Sequence, residues 1–316
     1  MPGILEGRVA IVTGAGRGIG SGVARLIAEQ GAKVVVNDYG AAVDGTGLDL
    51  TPAQQVVEEI KKNGGEAVTN GADVSDFDQA EALVRQAIDT YGQLDVLINV
   101  AGILRDRMIF NLSWEDWDAV VKVHLGGTFN TSRHAAVYWR ELRNPEGHFR
   151  IINFTSGSGM HGAPGQPNYA AAKNGIVGLT YSCANALQRY GVTSNAISPA
   201  ANTRMSQSVP AERLRQRQPN IGNEEMHPDN VAPAVAYLAS EASDWCNGQV
   251  VLALGYQIGL LNTPQLIREI VSPGPWDLNL AAHLMETVFK PAIVPNVVPA
   301  PIGLDLPYID PRLSDE

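Results

Sequence analysis

A chain of 316 residues can bury a full core without staples, as one large α/β domain or one domain with a sizeable extension. Apolar residues at 45% and charged ones at 18% exclude a disordered chain or a coiled coil. Lys and Arg number 23 against 33 Asp and Glu, and this net charge of −10 disfavours nucleic acid and anionic membranes, which attract basic faces.

Short β-branched runs alternate with helical patterns. Val9 to Thr13 predicts a buried strand, followed by a glycine cluster and a helix from about Gly18 to Gln30. Lys33 to Asn37 is a second strand, and the Gly-, Asp- and Thr-rich stretch from Gly40 to Thr51 a loop. Thr51 is expected to cap the next helix with Pro52 at its first position. A short strand at Ala67-Val68, a helix over Asp76 to Tyr91 and a strand over Leu94 to Ile98 follow. Next come a long helix from about Trp114 to Leu142, a strand at Arg150 to Phe154 and a helix around Asn168 to Tyr190. Strands at Thr193 to Ile197 and Gln249 to Leu254 end the pattern. Crossover helices force a parallel sheet covered on both faces, so residues 1–255 read as one doubly wound α/β domain.

Residues 256–316 differ. Nine of the 19 prolines lie between Pro264 and Pro311, around one helix near Leu278 to Phe289. Proline does not serve in central strands. This C-terminal extension reads either as an arm over the core or a neighbouring subunit, a lid included, or as a partly ordered tail.

The stretch Thr13-Gly14-Ala15-Gly16-Arg17-Gly18-Ile19-Gly20 joins the first strand to the first helix. Phosphates need backbone amides, a helix N-terminus and no intruding side chains, and Gly14, Gly18 and Gly20 meet that need with Arg17 and Ile19 between them. Asp38 ends the second strand, where its carboxylate can accept from ribose hydroxyls and repel a 2′-phosphate. No Lys or Arg occurs in the next twelve positions, so NAD is expected rather than NADP. Asp73 and Val74 are placed to meet the adenine, and Asn99, Ala101 and Gly102 to let backbone approach the adenosine ribose.

Tyr169 and Lys173 are four apart on a predicted helix and share a face. Ser156 follows the strand ending at Phe154 and reaches the same C-terminal edge of the sheet, where open α/β sheets bind ligands. Oxidation of a secondary alcohol needs a base for the hydroxyl proton while hydride leaves for a nicotinamide. A phenol useful near neutral pH must drop by roughly 2–3 units from about 10. A cation about 4 Å away, at an effective dielectric of about 20, supplies on the order of 4 kcal/mol. Desolvation of the phenolate opposes this, so one lysine is barely enough and the positive charge of an oxidised nicotinamide is expected to add to it. Tyr169 is therefore expected as the base, Lys173 as the cation that acidifies it and binds the nicotinamide ribose, and Ser156 as donor to the substrate oxygen.

Together these residues resemble the short-chain dehydrogenase/reductase family over about residues 6–255. The resemblance implies a Rossmann-type sheet of about seven parallel strands, NAD(P)-dependent hydride transfer, and homodimers or homotetramers built on the helices at 114–142 and 168–190. Further segments look like a narrower group. They are Asn37-Asp38 before a Gly-rich insertion, Gly102-Ile103-Leu104-Arg105-Asp106-Arg107, and Asp116-Trp117-Asp118 leading to Val123-His124-Leu125. Gly165-Gln166-Pro167-Asn168-Tyr169 and Thr203-Arg204-Met205 belong with them. These resemble the (3R)-hydroxyacyl-CoA dehydrogenase module of peroxisomal multifunctional enzyme type 2 and its actinobacterial relatives, some acting on steroid side-chain CoA thioesters.

The chain departs from the wider family at several places. His124 stands where that family carries Asn, and reads either as a member of a proton relay behind the lysine or as a packed histidine. Val100 replaces an Asn, Pro199-Ala200 replaces Pro-Gly, and Thr203, a carboxamide contact by resemblance, sits one residue early. The remaining histidines show no metal-ligand spacing, and Cys183 and Cys246 exclude a disulfide framework. Trp114 and Trp117 are expected to pack under a loop. No apolar run matches a membrane span and the chain starts on a strand-like segment, so a cytoplasmic protein is expected. The reading is NAD-dependent oxidation of a 3-hydroxyacyl-CoA. Oxidation of a free steroid or other secondary alcohol, and a silent NAD-binding regulator, are the alternatives.

Overall fold

The computed structural model describes residues 3–204, 224–261 and 263–293. Eight strands form one sheet in the order β3-β2-β1-β4-β5-β6-β7-β8. They are β1 (Val9–Thr13), β2 (Lys33–Asn37), β3 (Glu66–Asn70), β4 (Val96–Asn99), β5 (Phe149–Phe154), β6 (Val192–Ala200), β7 (Val250–Leu254) and β8 (Gln257–Leu261). The helices are α1 (Gly18–Glu29), α2 (Thr51–Lys62), α3 (Phe77–Tyr91), α4 (Trp114–Val121), α5 (Gly127–Leu142), α6 (Gly157–His161), α7 (Pro167–Leu187), α8 (Ala232–Ala239) and α9 (Leu278–Leu284).

β1 to β7 pair in parallel, as crossover helices demand. Both sheet faces are buried, which is why the strands read as unbroken apolar runs. Ala10, Val12, Val34 and Val36 face one way, onto Val23 and Ile27 of α1 and Val56 and Ile60 of α2. Val9, Ile11 and Val35 face the other way, onto Leu83 of α3 and Trp139 of α5. The strand order reverses between β2 and β4 on either side of β1, and the crevice at such a switch point is where these folds take ligands.

Four expectations change. The sheet does not stop at Gly255: β8 turns back antiparallel on β7, with Leu254 opposite Gln257, because the two-residue turn at Gly255 (φ +55°) and Tyr256 permits a hairpin. Thr51 is the first residue of α2 and makes no cap bond; Asp49 Oδ1 instead accepts from the Thr51 N–H at 3.0 Å. The long helix over 114–142 is interrupted by a π-turn at Lys122–Gly126, a wider coil often found at functional sites. Trp114 is 72% exposed rather than packed under a loop, while Trp117 is half-buried. Beyond β8, the described extension carries α9 and is mostly exposed; its residues 294–316 lie outside the described residues. No described helix is long and apolar enough to cross a membrane.

Candidate active site

The loop between β1 and α1 is compressed against its surroundings. Gly14 has φ +63°, and a β-carbon there would lie 2.7 Å from the Ala101 Cα. One on Gly20 would overlap the Gly14 carbonyl. Thr13 Oγ1 accepts from the amides of Val100 and Ala101 at 3.1 and 3.2 Å, which ties the ends of β1 and β4 together. α1 opens at Arg17 without a side-chain cap, unlike α3, capped by Asp76, and α4, capped by Ser113. Uncapped amides at a glycine-lined helix N-terminus suit a dinucleotide's pyrophosphate. The residues present therefore fit such a group. Ile19 packs on the core beneath, and Thr203 Cγ2 stands 3.6 Å from where a Gly18 β-carbon would be.

Asp38 reaches the same loop. Its Oδ2 accepts from the Gly16 amide at 2.8 Å and its Oδ1 from the Gly40 amide at 2.7 Å. Arg17 is drawn to Asp49, Nη2 to Oδ2 3.2 Å. Arg204 lies within the field of both Arg17 and Asp38, a neighbour that no sequence spacing announces. Asp73 Oδ1 accepts from Ser75 N, and buried Val74 gives its carbonyl to Asn130 Nδ2. The Asn99 side chain turns away from the crevice into a buried network with Asn153, Thr131 and Ser132, so only its backbone faces the ligand edge.

Ser156, Tyr169, Lys173 and His124 converge. The Lys173 Nζ lies 5.6 Å from the Tyr169 ring centre and donates to the Phe154 carbonyl at 2.7 Å. The His124 ring meets Tyr169 edge-on at 5.1 Å. Ser156 begins α6, and its Oγ accepts from the Ser158 amide at 3.1 Å. His124 belongs to the π-turn, which rotates it inward; its Nε2 lies 2.8 Å from the Ile103 carbonyl and 3.1 Å from the Ile103 amide. Its Nδ1 is buried without a partner.

Burial governs the ionisation of the groups that meet here. Burial pushes the Tyr169 phenol up to about 12, against a hydrogen bond from Ser156 that lowers it and the Asp106 charge that raises it. Burial also pushes the Lys173 ammonium down to about 7. Both shifts come from burial, the desolvation that opposes charge on either group. Burial, followed by the Lys173 charge, holds His124 well below the usual imidazole range, and the ring is neutral.

Several residues at the site carry no role in the sequence reading. Asn168 is fully buried; its Nδ2 donates to the carbonyls of Arg105 and Asp116, and its Oδ1 accepts from Tyr169 N. Asp106 Oδ2 accepts from Gln166 Nε2 at 2.7 Å, and Gln166 Oε1 from Ser158 Oγ at 2.8 Å. Their only sequence signal is that they fall inside segments resembling one narrower group. Among the described residues, no three His, Cys, Asp or Glu side chains gather as a metal cluster.

A glycine cradle at the switch point of a doubly wound sheet, with a tyrosine and lysine one helical turn apart beside it, defines a dinucleotide-dependent oxidoreductase. Residues 8–214 match the family profile described as short chain dehydrogenase, and the chain belongs to that family, whose members use NAD or NADP. It is 42% identical over 286 residues to hydroxyacyl-CoA dehydrogenase ChsB1 of Mycobacterium tuberculosis, covering 86% of each protein. It is 40% identical over 266 residues to mouse peroxisomal multifunctional enzyme type 2, covering 84% of this chain and 34% of that longer one. A crystal structure of a short chain dehydrogenase from Mycobacterium avium is similar at TM-score 0.80 and 44% identity, over 91% of this chain and 96% of that one.

Proposed function

We propose that this enzyme oxidises the 3-hydroxyl of a 3-hydroxyacyl-CoA to the 3-oxo group with NAD, acting as a homodimer or homotetramer in the cytoplasm. The observation that carries the reaction is the convergence of Ser156, Tyr169 and Lys173 beside the glycine loop; the substrate class follows from the likeness to a hydroxyacyl-CoA dehydrogenase. A steroid-derived acyl chain is the substrate we infer within that class.

Gly14, Gly18 and Gly20 hold the pyrophosphate, with Arg17 and Ile19 framing it. Asp38 binds the adenosine ribose, the Asp73–Val74 segment faces the adenine, and the backbone of Asn99, Ala101 and Gly102 follows the ribose. Thr203 contacts the carboxamide. A bound oxidised nicotinamide would supply the acceptor for the hydride leaving C3 and a positive charge. Tyr169 takes the hydroxyl proton as hydride leaves, and Ser156 donates to the oxygen as its charge develops. Lys173 binds the nicotinamide ribose. Burial pushes the free phenol up to about 12, and the Lys173 ammonium, together with the charge a bound oxidised nicotinamide would supply, favours its deprotonation. His124, by the family resemblance, would take part in a proton relay behind Lys173.

The test is NADH formation across short, long and steroid-side-chain 3-hydroxyacyl-CoAs, each beside its CoA-free alcohol. Turnover confined to thioesters is expected; equal turnover of the free alcohols removes the substrate assignment.

A further inference from the structure

Two segments singled out by sequence resemblance, 102–107 and 165–169, are distant in the chain and meet in the structure. Asn168 clamps the Arg105 carbonyl, and Gln166 clamps the Asp106 carboxylate. From Asp106 a continuous path of hydrogen bonds leads inward. Gln166 Nε2 donates to Asp106 Oδ2; Ser158 Oγ donates to Gln166 Oε1; Ser158 N donates to Ser156 Oγ. Ser156 in turn acts on the Tyr169 phenol. The side-chain donors on this path are oriented from its outer end; the last donor, the Ser158 amide, belongs to the backbone and is held by the first turn of α6. A carboxylate only accepts, so the Gln166 amide must present its NH2 to Asp106 and its oxygen to Ser158. The Ser158 hydroxyl then points at Gln166 while its amide holds Ser156 Oγ as acceptor. The Ser156 proton is left free to point at the substrate and phenol.

We propose that Asp106 is a positioning residue for the reacting groups, acting through Gln166 and the Ser158 hydroxyl to hold the first turn of α6, and with it Ser156, in place beside Tyr169. The assignment rests on the reading of Ser156 and Tyr169 given above. Asp106 also has an electrostatic effect. Its Oδ1 is buried with no partner and burial raises its pKa; in its charged form it opposes the phenolate. The groups facing Tyr169 are Lys173, His124 and Asp106. Arg107 faces Asp106, whereas Arg105 is drawn off to the Asp44 carbonyl and Asp116. The network therefore holds Ser156 in place while making the Tyr169 phenol harder to ionise.

Two variants separate these effects. Asp106→Ala removes the anchor, and kcat should fall on the order of tenfold to a hundredfold with the KM for NAD unchanged, as expected for a misplaced donor. Asp106→Asn keeps an oxygen for Gln166 and should recover most of that loss. With the carboxylate charge gone, the pH at which oxidation reaches half its plateau should move down. A merely structural anchor would not move the profile. Wild-type kcat in Asp106→Ala, or an Asp106→Asn profile superimposed on wild type, overturns the proposal. Wild-type enzyme on the same 3-hydroxyacyl-CoA is the control: absent turnover there refutes the proposed function itself, while turnover with unresponsive variants refutes only the positioning role.

Discussion

Gly102 is pressed against the His124 imidazole so closely that a β-carbon on it would overlap the ring's Cε1. The π-turn at Lys122–Gly126 brings the imidazole to that spot, and the glycine in the β4 loop leaves room for it. Gly102→Ala should therefore cost about 1–3 kcal/mol, the usual price of overpacking a tight core. The ring also holds Ile103, so turnover should fall with it. His124→Ala in the same chain removes the obstacle, and a double-mutant cycle by denaturant unfolding should give a coupling on the order of 0.5–3 kcal/mol. Additive losses would mean that the methyl is accommodated elsewhere.

The same ring makes stability sensitive to acid. Unfolded, His124 takes up a proton as pH falls through about 6.5; folded, burial and the Lys173 charge keep it neutral well below that. The unfolded state then binds more protons, so stability is intact above this range and declines as pH drops, by up to about 1.4 kcal/mol per pH unit for one proton. His124→Asn removes that proton. Denaturant midpoints taken from pH 7 downward should diverge between the two proteins by this slope, and parallel curves would mean that the native ring titrates normally.

Tyr169→Phe tests the base. The ring still fills its place against His124, so folding should be retained, and the glycine loop is untouched, so NAD should still bind. Turnover should fall by about 10²–10⁴-fold, the range of general acid–base catalysis. Unchanged rates would transfer the proton to another group.

Much of this was open to inspection in the chain itself. Both faces of β1 and β2 are buried, so their apolar runs are unambiguous, and the Gly14–Gly20 spacing and the Tyr169–Lys173 turn are local patterns. What escaped depends on distance in sequence or on desolvation. β8 has no signal apart from the glycine turn that precedes it. The link from Asp106 to Gln166 spans 60 residues. For the Tyr169–Lys173 pair, charge spacing can be read from a helix, whereas the extent of burial, which here dominates both groups, cannot.

Arg17 and Arg204 show the same limit at the adenosine end, and they set up a test of cofactor choice. The absence of a cation after Asp38 favours NAD, yet the fold brings the Arg204 guanidinium, from far along the chain, into the field of both Asp38 and Arg17. Arg17 is already engaged by Asp49, so the Asp38 carboxylate is the charge that a 2′-phosphate would meet first. Asp38→Asn keeps an acceptor for the Gly16 amide but removes the repulsion, and leaves the two arginines to attract a phosphate. Like charges forced together cost several kcal/mol, and each ~1.4 kcal/mol is tenfold. The ratio of kcat/KM for NADP to that for NAD should rise by at least about tenfold, partly through a weaker KM for NAD. A ratio that stays at the wild-type value would place cofactor discrimination in a residue other than Asp38.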